Sequence, residues 1–297
     1  MPDASPRFVD LNGHPFHYLE WGRADGPVLL FLHGFPEYSA AWSEIAERFA
    51  GDYHCIAPDQ RGFGQSWAPL EVEAYEMREL VGDMAALIGA LGQKVTVVGH
   101  DWGAAVAYGL AMFRPDLVSR LIIINGVHPA PFQRELAAGG AQTSASQYIR
   151  FLRAEGSEDK LSAGDFEGLM KLFSANMDLG WLTGERLRQY KAEWSRPGRL
   201  QAMINWYRAS PLQVALPGEP LNDVPVFQKA RLQVQCPHLL IWGDDDTALL
   251  PECIDGLDAY AADLTVEHVA GADHWICHQK PDLIAGLIRS WLEALPE

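Results

Sequence analysis

Short continuous apolar runs alternate with helically spaced segments through the first part of the chain. Pro27-Val28-Leu29-Leu30-Phe31-Leu32, His54-Cys55-Ile56-Ala57-Pro58, Val95-Thr96-Val97-Val98 and a stretch within Leu117 to Ile124 are strand-sized and uninterrupted. Such runs predict strands buried on both faces. Between them, Trp42 to Phe49, Met77 to Leu91 and Gly103 to Phe113 predict helices. The second is amphipathic, with Leu80, Met84, Leu87, Ile88 and Leu91 on one face. A hairpin is expected first, because Arg7 to Leu11 and His14 to Trp21 flank Asn12-Gly13, a dipeptide suited to a primed two-residue turn. Repeated strand–helix–strand units with continuous apolar strands imply a mainly parallel sheet covered by helices on both faces.

The alternation stops near Ala130. From there to about Lys229 the pattern is helical and aromatic, with Tyr148, Phe151, Phe166, Phe173, Trp181, Tyr190, Trp194, Trp206 and Tyr207. Leu212 to Pro225 reads as loop, punctuated by Pro217, Gly218, Pro220 and Pro225. Strand signals resume at Pro237 to Trp242 and Leu264 to His268, and Pro281 to Leu295 predicts a closing helix. The expected organisation is one α/β core, residues 1–129 and 230–297, interrupted by a helical insertion, residues 130–229.

Composition narrows the class. With 297 residues, 48% hydrophobic and 21% charged, the chain has ordinary globular make-up and enough length for a large core. Its 39 acidic residues outnumber 23 basic ones, a formal charge of −16 that repels phosphates and makes nucleic acid an unfavourable partner. Neither a basic apolar leader nor a bilayer-length apolar run is visible, so a cytoplasmic chain with no membrane partner is expected. Cys55, Cys236, Cys253 and Cys277 lack paired spacing and read as free thiols rather than a disulfide framework or zinc site. No metal cluster or nucleotide fingerprint appears, so no cofactor is expected; a homodimer stays open.

Four segments carry chemistry. Gly99-His100-Asp101-Trp102-Gly103 joins the strand at Val95–Val98 to a helix and has the form Gly-x-nucleophile-x-Gly. Glycines relieve crowding in a sharp strand-to-helix turn that lifts the central side chain above the sheet edge. His33-Gly34-Phe35-Pro36 follows another core strand, where the Phe35 backbone N–H, with that of Trp102, can form an oxyanion hole. Gly243-Asp244-Asp245-Asp246 follows a third strand and offers three carboxylates, one of which can orient an imidazole. Gly271-Ala272-Asp273-His274 follows the last strand and supplies that imidazole. The chain order nucleophile, acid, histidine is the α/β-hydrolase order.

His33-Gly34-Phe35-Pro36-Glu37, Asp59-Gln60-Arg61-Gly62-Phe63-Gly64-Gln65-Ser66 and Gly99-His100-Asp101-Trp102-Gly103 together resemble the epoxide hydrolase branch of the α/β-hydrolase superfamily, with haloalkane dehalogenases as the neighbouring branch. The likeness runs from about Phe8 to the final helix, and the insertion corresponds to the family's cap domain. The resemblance implies Asp101 as nucleophile, His274 as base and Asp246 as acid. It implies further that Tyr148 and Tyr207 are the two cap tyrosines that activate the epoxide oxygen, with Tyr190 as the substitute for Tyr148. His33, Trp102, Trp206 and Trp275 are expected to line the substrate site.

An aspartate suits displacement at saturated carbon, because it is already ionised and attacks without a base. The expected reaction opens a neutral apolar or aryl epoxide to a vicinal diol through an alkyl ester on Asp101, which water activated by His274 then hydrolyses. Two alternatives stand beside it. A haloalkane or haloacid dehalogenase would use the same aspartate, although Phe35 stands where some dehalogenases carry a halide-binding Asn, and Trp102 where the haloacid enzymes carry Arg. A ligand-sensing receptor of the same fold would show little turnover.

Overall fold

The computed structural model describes residues 4–174, 177–224 and 227–295. Pro225 and the first three residues, used in the sequence reading, lie outside them. The hairpin forms as expected. Strands β1 (Ser5–Leu11) and β2 (His14–Gly22) pair antiparallel around Asn12 and Gly13, whose φ values of 56° and 86° are those of a primed turn. The Asp10 carboxylate accepts the Gly13 N–H at 2.9 Å and fixes the bend.

Six more strands complete the sheet: β3 (Val28–Leu32), β4 (His54–Pro58), β5 (Val95–His100), β6 (Val118–Ile124), β7 (His238–Gly243) and β8 (Leu264–Val269). Their order is β1-β2-β4-β3-β5-β6-β7-β8, with β3 to β8 parallel and β2 antiparallel to β4. Helices α1 (Ser43–Phe49), α2 (Met77–Leu91) and α3 (Trp102–Phe113) connect the early strands. Most boundaries shift by one or two residues, and two of the shifts bear on the site. A 3₁₀ turn, Ser39–Trp42, precedes α1, and β5 continues two residues past Val98, so Asp101 leaves the strand directly.

Between β6 and β7 the chain forms α4 (Pro129–Ala137), α5 (Ala141–Ala145), α6 (Gln147–Arg153), α7 (Ser157–Ser174), α8 (Gly184–Trp194) and α9 (Arg199–Ala209). Helix α7 is kinked where Ala163 to Phe166 leave helical backbone. Among the described residues this insertion adds no strand to the sheet. Its ends are held together: His128, which caps α4, also bonds the Leu232 carbonyl at 3.0 Å. After β8, α10 (Ile276–Gln279) and α11 (Pro281–Ala294) close the chain. Among the described residues no helix is long and apolar enough to cross a membrane, and the four cysteines are free.

Alternation along each strand divides the core. Leu30, Leu32, Val95, Val97, Leu121 and Ile123 pack with α2, α3 and the insertion. Leu29, Phe31, Val98, Ile122, Ile124 and Ile241 pack with α1 and α11. The connections reverse direction between β3 and β5, since β4 lies on one side of β3 and β5 on the other. At such a switch point the loops leaving the strand ends diverge and open a crevice. The loops after β3 and β5 are the ones carrying Phe35 and Asp101.

The β5–α3 turn is tight enough to require its glycines. A Cβ on Gly103 would collide with the Leu32 carbonyl, and one on Gly99 would lie 2.7 Å from both Ala104 Cα and the Gly103 oxygen. Both obstacles are backbone and cannot rotate away. Gly103→Ala should therefore cost at least about 1–3 kcal/mol, the usual range for overpacking. Urea unfolding checks this, and a wild-type midpoint would contradict the packing described.

Candidate active site

Asp101 occupies the turn with φ 51° and ψ −121°, a conformation unfavourable to a residue with a side chain. Strain of this kind costs on the order of 1–3 kcal/mol and persists where surrounding structure over-determines it. Here Gly34 lies against the Asp101 side chain, with no room for a Cβ of its own. The Phe35 N–H donates to Asp101 Oδ1 at 2.7 Å. The other carboxylate oxygen, Oδ2, faces His274 Nε2 at 3.5 Å. Trp102 opens α3 immediately afterwards, so Asp101 sits at that helix's positive end.

The opposite face of the imidazole is fixed more tightly. His274 Nδ1 lies 2.7 Å from Asp246 Oδ2, and the Asp246 side chain is wholly buried. Of the three consecutive acids, Asp244 and Asp245 are exposed, and Asp244 pairs instead with His268. Asp246 Oδ1 accepts the Ala248 and Leu249 N–H groups at 2.8 and 2.9 Å, while Oδ2 also accepts Asn125 Nδ2 at 2.8 Å. Asn125 is in turn locked by the Gly243 N–H, which donates to its Oδ1 at 2.8 Å.

These contacts set the charges. Burial alone would raise the Asp246 pKa, but His274, the backbone amides and Asn125 outweigh it and hold the carboxylate below its usual range. Burial alone would depress His274, yet Asp246 and Asp101 together hold its pKa well above the ordinary imidazole value. Tyr148 and Tyr207 are raised as phenols, first by burial; the Asp101 charge adds to the shift in both, and Asp246 in Tyr148.

Two cavities meet at Asp101. The larger, about 280 Å³, is lined largely by apolar groups including Met77, Met112, Val127, Phe132, Ile149 and Leu249, together with Trp102. The smaller, about 140 Å³, is bordered by Phe35, Ala145, Leu172, Phe173, Thr247, Ala248, His274 and Trp275. Tyr148 and Tyr207 border both. Their rings meet edge to face at 6.1 Å, and Tyr207 also packs edge-on against Phe35 and Trp102 at 5.2 and 5.0 Å.

Two expected lining residues fall elsewhere. His33 is fully buried beneath Phe63, its Nδ1 against the Gly34 carbonyl and its Nε2 accepting the Gln60 N–H. Both ring nitrogens are thus spent on shaping the loop that presents Phe35. Trp206 donates its ring N–H to the Arg61 carbonyl at 2.9 Å and supports Trp102 from behind. Tyr190 does not border either cavity; it donates to Glu37 at 3.0 Å. Glu37 also accepts from His278 at 2.6 Å and lies 3.4 Å from His100, whose Nε2 bonds the His274 carbonyl at 2.8 Å. Asn125 and this buried Glu37 cluster were not assigned from sequence. The signals were present but weak: Asn125 directly follows β6, beside the β7 strand that leads to Asp246, and Glu37 ends the His33–Glu37 run.

With this geometry described, comparison with known proteins gives the class. The family described as the alpha/beta hydrolase fold matches residues 27–281, and the chain belongs to it. It is a hydrolase similar along its length to epoxide hydrolases. The AB hydrolase superfamily protein YfhM of Bacillus subtilis is 33% identical over 99% of both chains. Epoxide hydrolase 4 of Mus musculus is 32% identical over 95% of this chain and 77% of its own. Among solved structures, one from a study of novel epoxide hydrolases in metagenomes from hot environments has a TM-score of 0.90, with 35% identity over 99% of this chain and all (100%) of the other. A Bacillus megaterium epoxide hydrolase in complex with an inhibitor has a TM-score of 0.87 at 32% identity, covering 97% of this chain and 100% of that one.

Replacing Asp246 by Asn removes the charge that does most to hold His274 protonated. Its pKa, followed by the ring proton resonances, should fall; an unchanged value would contradict the electrostatics described. The stability difference between wild type and this variant should be largest between the unfolded carboxylate and imidazole pKa values of about 3.9 and 6.5. It should shrink as pH rises through the raised His274 value, and as it falls through the depressed Asp246 value.

Proposed function

We propose that this hydrolase opens neutral apolar or aryl epoxides to vicinal diols through an alkyl ester on Asp101. The observation that carries the reading is a carboxylate, rather than a hydroxyl or thiol, at the turn between β5 and α3, facing two cavity tyrosines. Asp101 Oδ2 attacks a ring carbon, the carbon–oxygen bond breaks, and its electron pair goes to the epoxide oxygen. Tyr148 and Tyr207 donate to that oxygen, and one of them supplies its proton. Their raised pKa values keep both phenols protonated beside the anionic Asp101.

Alkylation changes the charge seen by His274. The esterified Asp101 is neutral, so one of the two carboxylates holding the imidazole protonated is lost; the His274 pKa falls, its extra proton passes to solvent, and the neutral ring is free to accept one. His274 then takes a proton from water as that water attacks Asp101 Cγ. The oxyanion develops on Oδ1, where the Phe35 N–H already donates and the Trp102 N–H supplies a second donor. The Cγ–Oδ2 bond breaks, the diol oxygen takes the proton from His274, and the proton left on the regenerated Asp101 carboxyl returns to Tyr148 or Tyr207. Asp246, fixed by Asn125 and two amides, orients the imidazole throughout.

Residues 130–229 act in this reading as a cap over a core of residues 1–129 and 230–297. Tyr148 comes from α6 and Tyr207 from α9, while Asp101 and His274 come from loops at the sheet edge. The mostly apolar larger cavity, whose Arg153 is committed to the Tyr207, Leu212 and Ser210 carbonyls, and the charge of −16 both favour an uncharged substrate over an anionic one.

His274→Gln should still alkylate but fail to hydrolyse the ester, so mass spectrometry after incubation with an aryl epoxide should find one substrate mass on Asp101. An adduct on another residue would contradict the roles. Tyr148→Phe/Tyr207→Phe removes both donors while keeping the rings, and ring opening should fall by about 10²–10⁴-fold, the range for general acid catalysis. Each single change should cost less. Ready halide release that survives the double change, with no epoxide opened, would favour the dehalogenase reading, in which Trp102→Phe is the more damaging change.

A further inference from the structure

The two cavities beside Asp101 are chemically unequal. Both touch Asp101, Tyr148 and Tyr207, but His274 borders only the smaller. The larger is lined by Phe113, which is 53% exposed, and the smaller by the exposed Thr247 together with Ala145 and Leu172. A water that loses its proton to His274 must come within hydrogen-bond reach of Nε2. Water entering by the larger cavity would meet apolar walls, and once Asp101 is alkylated it would meet the substrate's own carbon skeleton. The smaller cavity also carries apolar walls, but at about 140 Å³ it has room for several waters, and Asp101, Tyr148, Tyr207, Thr247 and His274 on its lining supply the polar partners that water needs.

We propose that the smaller cavity is the water compartment, supplying hydrolytic water to the ester from the Thr247 side while the substrate's apolar arm occupies the larger one. This rests on the alkyl-ester reading above. Ala145 gains a specific role from it, since as a small residue it leaves the water path open without touching the reacting atoms, and Leu172 borders the same path. Alkylation consumes no water, so obstruction here acts on the second step alone.

The test separates the two steps by rapid-quench single turnover with a neutral aryl epoxide. In Ala145→Leu and in Leu172→Phe, alkylation should stay within about twofold of wild type, while ester hydrolysis slows by at least about tenfold and alkyl-enzyme accumulates. Ala105→Leu, on the wall of the larger cavity, should do the reverse. Slower alkylation with normal hydrolysis in the first two variants would make the compartment a substrate arm and overturn the proposal. So would unchanged rates in variants that melt as the wild type does. Ala145 ends α5 and Leu172 lies on α7, so one folding defect does not decide both. No adduct in wild type or His274→Gln overturns the alkyl-ester reading itself, a result distinct from any change in the ratio of the two rates.

Discussion

Two carboxylates on either side of one buried imidazole are the constraint around which this molecule is arranged. Removing Asp246 and His274 from water is costly, and the cost is offset only because every polar atom finds a partner. Asp246 accepts four hydrogen bonds, from His274, Asn125 and the Ala248 and Leu249 amides. Those donors come from the end of β6, from the loop after β7 and from the loop after β8, so the charge line also ties together three neighbouring strand ends. An imidazole held this way has one free direction, toward Asp101.

The second constraint is backbone. Asp101 stands above the sheet because the chain turns from strand to helix in a space that admits no Cβ at Gly99 or Gly103. Gly34 presses on the side chain from the neighbouring loop, and the Phe35 N–H holds one oxygen. The strain in the turn is therefore met by groups that also bear on its chemistry. A switch in strand order between β3 and β5 brings those two loops together, while the insertion supplies tyrosines from the opposite side.

Much of this was legible in the sequence because its signals are local. Continuous apolar runs mark β3, β4, β5 and β7, and the loss of alternation marks the insertion. Motif spacing also singles out Asp101 and His274 and narrows the acid to Asp244, Asp245 or Asp246; the family resemblance picks Asp246, and the fold brings the three residues together. Packing direction was not legible. His33 and Trp206 sit next to residues of interest in the chain, yet one is sealed beneath Phe63 and the other lies behind Trp102. Asn125 matters through partners more than a hundred positions away, a relation that no local pattern carries. Glu37 likewise meets His278 from the far end of the chain, and Tyr190 only once the insertion is folded over the core.

The central claim is that an oxygen of Asp101 is itself transferred to the product. A single turnover in heavy-oxygen water, with enzyme in excess over an aryl epoxide, tests this directly. In the covalent mechanism water attacks Asp101 Cγ, so the label should appear in the peptide containing Asp101 and the diol should be unlabelled. A labelled diol with an unlabelled Asp101 peptide would mean that water attacks the epoxide carbon itself, and the covalent mechanism would fall.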